Sequence, residues 1–225
     1  MLDKSNIKFV ACGIIFDHSF KLLDNWGEIA DNLLYKSKYF DYKFFPSIST
    51  QYTTERTLTN HDTGNFLKLS SNQLVFRYNI DSTKKFDDEF HIFCQKINEY
   101  IVPEILTKNH LRIRKIGVVF CTTLLDADFE KFTNKYFKDS VQGITDFRFA
   151  VKGPSKDSLL WKTSNNYINK MYTLGNIFGD SDERGITYDF QLHLNPILPD
   201  LREKSDVVLN EALKSFEIDV IKGIG

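Results

Sequence analysis

Several features that mark special classes of protein are missing from this 225-residue chain. Cysteine is scarce, and the three cysteines stand at wide spacings among apolar neighbours: Cys12, Cys94 and Cys121. This pattern argues against a disulfide framework and indicates buried, reduced thiols. No apolar run approaches the ~20 residues of a membrane span, and the N-terminus, MLDKSNIK, has no signal-peptide apolar block. We therefore expect a cytoplasmic protein with no membrane partner.

An excess of charge of one sign is also missing. The 29 Lys and Arg residues are balanced by 30 Asp and Glu residues, which leaves a formal net charge of −1. No global field then draws the chain to nucleic acid, so any basic patch must be local. A composition of 42% hydrophobic and 26% charged residues is that of a globular domain, and the 20 phenylalanines predict a core built on aromatic side chains.

The spacings of readily recognised catalytic and metal sites are absent as well. The Asp-Thr-Gly within HDTGN (61–65) has no second copy with which to form a carboxylate dyad. GDSDERG (179–185) begins like a calcium loop, but Arg184 and Gln191 stand where ligands are required. The five histidines show no metal-ligand spacing, and no glycine-rich phosphate loop is visible. The sequence predicts no catalytic residue, no cofactor and no metal, and it favours a protein that is not an enzyme.

Hydrophobic periodicity indicates the elements of the first half. Residues 7–17 are apolar on both alternating faces and predict a buried strand, followed by a helix with Ser19 as its N-cap. Strands are predicted within 39–60 and 66–80. The most regular helical stripe runs from Phe86 to Ile105 and contains Pro103, which is expected to bend or end the helix.

The same order then recurs in the second half. A strand at 111–123 precedes a short helix capped by Asp126, and further strands are predicted at 144–153 and 186–195. A turn at 180–185 and a last helix, opened by Pro199-Asp200 with Glu203 in capping-box position, complete the set.

This repeated order predicts an α+β fold. Two strand-helix-strands-helix halves, residues 1–108 and 109–225, are expected to merge into one antiparallel sheet with helices on one face, because merging hides two sheet edges. The repetition also suggests an internal duplication, with strands 7–17 and 111–122 in equivalent central positions.

One region resembles a known group of proteins. An NQLVFRY strand leads into the helix that carries Phe90 and Phe93, and a Lys115-Ile116-Gly117 strand follows. Together with the closing helix LNEALKSFEIDVI, this resembles a sporadically distributed prokaryotic family of uncharacterised proteins. Relatives typically continue that strand as Leu-Arg-Tyr-x-Asn, whereas Val119 and Thr122 stand here at the Arg and Asn positions. The resemblance assigns no activity.

The stretch RIRKIGVVF (112–120) is basic at its start and apolar afterwards, as expected where a strand runs from the sheet rim into its centre. Arg112 and Arg114 alternate with apolar residues and leave the core on one face. If the strands share one sheet, the polar residues of several strands gather on the face away from the helices. We expect solvated surface there, and we hypothesise an anion-binding site in which His193 is a pH-sensitive donor. Its residues would be Arg77, Arg114, Arg148, Asp189 and His193.

Three functions stay open at this point. The first is a non-enzymatic binding or interaction protein for an unknown protein or a small anionic ligand, in a possible defence or mobile-element context. The second is a protein that acts on nucleic acid or nucleotides through an arginine-bearing sheet face. The third is a structural subunit of a homo-oligomer such as a homodimer. The near-neutral charge and the missing catalytic spacings favour the first.

Overall fold

Antiparallel strands form one continuous sheet at the centre of the fold. A computed structural model describes residues 2–36, 40, 43–48, 54–124, 130–131, 134, 147–154, 167–176, 184–198 and 205–224. Its nine-stranded sheet has the order β2-β3-β4-β5-β1-β6-β9-β8-β7. The strands are β1 (Ile7–Phe16), β2 (Phe44–Ile48), β3 (Glu55–Asn60), β4 (Phe66–Ser70), β5 (Gln73–Asn79), β6 (Ile113–Thr123), β7 (Phe147–Pro154), β8 (Tyr167–Asn176) and β9 (Arg184–Leu198).

Helices follow β1, β5 and β9 in the chain. Each becomes π-helical towards its end. They are α1 (Lys21–Asp24) and α2 (Trp26–Asp31) with the π-turn Asn32–Lys36; α3 (Phe86–Gln95) with Lys96–Thr107; and α4 (Ser205–Phe216) with Glu217–Ile221 and the final turn Lys222–Ile224. The described helices pack on one face of the sheet, so the predicted α+β fold of two merged halves is confirmed.

The two halves meet at the β1–β6 pair. All strands from residues 1–108 lie on one side of this junction and all described strands from 109–225 lie on the other. Gly13 pairs directly with Gly117 near the middle of the two strands. Both strands are interior, as their apolar sequences predict. The order of strands is compatible with an internal duplication, which stays a prediction, as does the division at residue 108.

The core lies between the sheet and the helices, and aromatic rings dominate it. Phe93 is 0% exposed, and its ring centroid lies 5.7 Å from that of Phe76 on β5. Phe120 on β6 stacks on Phe216 of α4 at 4.8 Å. The periodic residues of β9 point into the same layer, as predicted: Ile186, Tyr188, Phe190, Leu192 and Leu194. Burial of these large apolar surfaces is the main stabilising contribution.

A polar network anchors the last helix to the sheet. One carboxylate oxygen of Asp219, Oδ2, accepts hydrogen bonds from Lys170 Nζ at 2.6 Å and Tyr188 Oη at 3.0 Å. Tyr172 Oη and Ser215 Oγ also donate to it, each at 3.2 Å. The network therefore joins β8, β9 and the C-terminal helix around one charge.

Two sequence expectations about helix ends are corrected. Pro103 does not end the helix: the helix continues to Thr107 in π form, and Lys108 N donates to Pro103 O. A wider turn of i→i+5 type suits the missing proline donor. Ser19 does not cap α1 through its side chain; its carbonyl accepts from Leu22 N.

Three other predictions fall wholly or largely outside the described residues. Of the helix opened by Asp126, residues 130, 131 and 134 are described and are helical. Of the turn at 180–185, only the last two residues are described, and they begin β9. The capping box of Pro199, Asp200 and Glu203 lies outside the described residues.

Candidate functional site

The face of the sheet opposite the helices, called the open face below, carries its own set of side chains. Strand register assigns the alternate residues to it, because successive side chains point to opposite faces. Ala11 and Cys121 lie on this face and are buried, yet neither belongs to the hydrophobic core cluster. That cluster lies on the other face of the sheet, where the described helices pack.

Cross-strand register places the open-face residues in rows that run across the sheet. One row passes from Arg77 through Ala11 and Val119 to Asp189. The neighbouring row passes from Val75 through Gly13 and Gly117 to Gln191. A third row contains Gln73, Ile15, Lys115 and His193. Residues that are far apart in sequence therefore become neighbours over β1 and β6.

The open face is cationic although the whole chain is not. Register places five cationic side chains of the described residues on it: Lys68, Arg77, Lys115, Arg148 and Lys152. Only two carboxylates of the described residues share it, Glu55 and Asp189, and Glu55 forms an ion pair with Lys68 at 2.9 Å. Against a formal net charge of −1 for the chain, this is a local positive surface.

A polar cluster lies on the β8–β9 side of this face. Gln191 is 7% exposed, and its Nε2 donates to Asp189 Oδ2. Its Oε1 accepts from Asn169 Nδ2 at 3.3 Å and lies 3.4 Å from His193 Nε2. Arg148 Nη2 lies 3.6 Å from the sulfur of Met171, which is the cross-strand partner of Asp189. One buried amide thus holds a carboxylate, an amide and an imidazole together.

Partial burial shifts the pKa values of two groups in this cluster. Burial raises the pKa of Asp189, while the Gln191 hydrogen bond and the charges of Lys115 and Arg148 act in the opposite direction. Burial also lowers the pKa of His193, and the nearby charges of Lys115 and Lys152 lower it further. Each shift favours the neutral form of its group.

The structure brings together three of the five residues predicted for the site. Arg148, Asp189 and His193 surround the same cluster. Arg77 shares the open face but lies across β1 and β6, three strand spacings or ~14 Å from Asp189. Its guanidinium carbon stands 3.9 Å above the centroid of the Phe9 ring, and its Nε donates to Asn79 Oδ1 at 3.0 Å.

Arg114 lies away from the cluster. The register of β6 against β9 shifts between Ile113 and Lys115, which places Arg114 at a β-bulge at the strand end. Its Nε forms an ion pair with Asp17 Oδ1, and Arg112 Nε lies 3.9 Å from the other oxygen of the same carboxylate. The basic residues therefore lie at the solvated end of the strand, where they pair with the carboxylate of Asp17, just after β1.

The sequence did not identify several residues of the cluster. Lys115 belongs to the basic segment, whose pattern indicates only a strand end, and Asn169 and Met171 lie on a strand without a clear alternating pattern. The pairing of Gly13 with Gly117 depends on the register of two strands that start 106 positions apart, which no local pattern encodes. The sequence shows only that each of these apolar strands contains a glycine in its interior.

Comparisons with known proteins give little further information. No protein-family model and no curated protein sequence matches the chain. Among solved structures, the rolling circle replication initiator protein from Geobacillus stearothermophilus aligns over 91% of this chain and 78% of its own, with 9% identity and a TM-score of 0.32. A likeness of this size supports no conclusion on fold or function.

Membrane-spanning helices and clusters of metal ligands are both absent from the described residues. No helix among them is long and apolar enough to span a membrane. No group of three or more His, Cys, Asp or Glu side chains among these residues is arranged so that it could hold a metal ion.

Proposed function

We propose that this is a non-enzymatic binding protein that holds a small anionic ligand on the open face of its sheet. The observation that carries the proposal is the local positive charge: among the described residues, five cations and two carboxylates share this face, in a chain of net charge −1. Clefts and faces lined by one sign of charge concentrate ligands of the opposite sign.

Lys115 is the best placed of these cations. It lies on β6 next to the sheet centre, in register with His193, and is half-buried. Its charge acts on Asp189 and His193. An incoming anion would meet this charge beside the cluster, whereas the charge of Lys68 is paired with Glu55.

Arg148 and the amide groups supply directional contacts. The guanidinium contacts only a thioether among the described residues, which leaves its other donors for a ligand. Gln191 and Asn169 are held by each other and by Asp189, so a ligand meets polar atoms that are already oriented. Such preorganisation reduces the entropy that binding must overcome.

The proposal can be tested with inorganic pyrophosphate as the probe in isothermal titration calorimetry. Lys115→Glu is expected to weaken binding at least about tenfold, because one charge-assisted contact contributes about 1.5–3 kcal/mol. Lys214→Glu is the matched control, since Lys214 is an exposed lysine on α4, on the helix side of the molecule. It should bind pyrophosphate like the wild type.

Binding should also weaken as ionic strength rises, since partly exposed charges are screened. Absence of pyrophosphate binding at low salt, or an equal effect of the two charge reversals, would contradict a ligand site on the open face.

A further inference from the structure

We propose that the helix side of the molecule holds a second binding site, which takes a small zwitterionic ligand of the α-amino acid class. The site is a cavity of about 310 Å³ between α2 with its π-turn and the π-helical end of α3. This volume is at the small end of the ~300–1,000 Å³ typical of ligand sites. The cavity is separate from the open face and is lined by Glu28, Asn32, Lys36, Tyr100, Glu104 and Lys108.

Each helix contributes one stripe of three side chains to this cavity. The lining residues of each helix follow one another at intervals of four positions, so they lie on one face of that helix. Asn32 Nδ2 donates to Glu104 Oε1 at 2.5 Å, which joins the middle residues of the two stripes. The centre of the cavity therefore has a fixed pair of polar side chains, one from each helix.

The direction of the two helices places the remaining side chains. Lys96 Nζ lies 5.1 Å from the centroid of the Phe40 ring. Phe40 follows the first stripe in the chain and Lys96 precedes the second, so the two helices run antiparallel. Glu28 and Lys108 therefore lie at one end of the cavity, and Lys36 and Tyr100 lie at the other.

The Asn32 side chain supplies a buried acceptor that lacks a donor. Asn32 is 7% exposed, and among the described residues nothing donates a hydrogen bond to its Oδ1. Turning the amide over would bring this oxygen against the Glu104 carboxylate, so the hydrogen bond determines its orientation. Unpaired buried acceptors are uncommon in folded proteins, and each calls for a partner. The missing partner is a donor that enters the cavity beside Glu104.

The charges around this acceptor indicate the class of ligand. A primary ammonium has three donors, so it can serve Asn32 Oδ1 together with the carboxylates of Glu104 and Glu28. An anion without a donor would leave Oδ1 unpaired, and a metal ion would meet the positive charges of Lys36 and Lys108. These two lysines can instead hold a carboxylate. An α-amino acid carries both groups on one carbon atom.

Isothermal titration calorimetry of the full chain with the standard L-amino acids tests this site. At least one of them is expected to bind. Its matched probes are the corresponding amine, which lacks the carboxylate, and the corresponding carboxylic acid, which lacks the ammonium. Each probe is expected to bind about tenfold or more weakly, because a charge-assisted contact is lost. No binding of any amino acid at millimolar concentration, or equal binding of the carboxylic acid, would overturn the proposal.

Variants at the two ends of the proposed contact locate the ligand. Asn32→Leu removes the acceptor, keeps a side chain of similar size, and is expected to weaken binding of that amino acid at least about tenfold. Lys36→Glu changes an exposed residue, so it should fold, and it should weaken binding by a similar factor because it repels the carboxylate. Unchanged binding by Lys36→Glu, or by a folded Asn32→Leu, would contradict the site.

Asn98→Leu is the matched control for Asn32→Leu. Asn98 also donates through Nδ2 to a carboxylate, that of Asp206, and its buried Oδ1 is also without a donor among the described residues. It lies outside the described lining of the cavity. The control should bind the amino acid like the wild type, and an equal loss in both asparagine variants would contradict a specific role of Asn32.

The two proposed sites can fail separately. Asn32→Leu should bind pyrophosphate like the wild type, because Asn32 lies on the helix side of the sheet. If pyrophosphate binds and no amino acid does, only the cavity proposal is wrong. If an amino acid binds and pyrophosphate does not, only the open-face proposal is wrong.

Discussion

Removal of the Asp219 carboxylate should destabilise the protein substantially, although the residue lies outside the open face. Asp219 Oδ2 accepts from Lys170, Tyr172, Tyr188 and Ser215 at 2.6–3.2 Å. Tyr188 is 0% exposed and Tyr172 is 3% exposed, so neither hydroxyl can turn to bulk water in the Asp219→Ala variant.

The size of the loss depends on which hydrogen-bond donors still have an acceptor once the Asp219 carboxylate is removed. Tyr188 Oη retains Ser215 Oγ at 2.8 Å, and the Lys170 side chain is 28% exposed, so its ammonium can be hydrated. The main loss is that of the buried hydrogen bonds to the carboxylate, about 1–3 kcal/mol, together with a weakened half-buried charge. We expect a decrease of about 2–4 kcal/mol in the free energy of unfolding, a large part of the 5–15 kcal/mol typical of a domain.

Urea denaturation followed by circular dichroism measures this change. Asp219→Asn keeps a carbonyl oxygen and should lose about half as much. Glu211→Ala on the same helix is the control and should stay within about 0.5 kcal/mol of the wild type. A loss below about 0.5 kcal/mol for Asp219→Ala would refute the network as a stabilising contact.

Three further predictions concern the core, the thiols and the open face. Phe93→Ala should cost about 3–5 kcal/mol as a core cavity, whereas Val207→Ala, at a 43% exposed position, should cost little; a loss below about 1 kcal/mol for Phe93→Ala in urea would contradict the packing. A thiol reagent at pH 8 should label no cysteine in the native protein and all of them in denaturant, because burial raises the pKa to about 12 for Cys12 and Cys94 and to about 11 for Cys121; rapid native labelling would contradict this. Because burial raises the pKa of Asp189, the unfolded state holds fewer protons between the ordinary and the raised pKa, so stability falls as pH rises through that window. Asp189→Asn should therefore have a higher urea midpoint than the wild type at pH 7, with the difference shrinking toward pH 3; a lower midpoint at pH 7 would refute the desolvation argument.

Hydrophobic periodicity predicted the fold well, because burying one face of a strand requires apolar residues at alternate positions of that strand, whatever its neighbours are. The alternation of Ile186 to Leu194 was sufficient to show which side of β9 meets the helices, and the apolar residues of β1 and β6 placed both strands inside the sheet. The three cysteines were predicted to be buried, and they are.

The candidate site was only partly predictable, because it depends on register between distant strands. Arg148, Asp189 and His193 share a cluster since β7, β8 and β9 are neighbours. Alternation alone could not foresee the bulge that moves Arg114 to the strand end beside Asp17. Nor could it foresee that Gly13 would face Gly117, because one residue of slip would separate them.

The most direct test of the anionic-ligand proposal is a two-dimensional NMR titration of the ¹⁵N-labelled full chain with pyrophosphate at low salt. The account predicts saturable shifts of the backbone amides around Lys115, Arg148 and Gln191, with the amides of α4 unchanged. The same titration on Lys115→Glu should give much smaller shifts at equal pyrophosphate concentration. Shifts confined to the helix side, or no shifts at all, would contradict the claim that the open face holds the ligand.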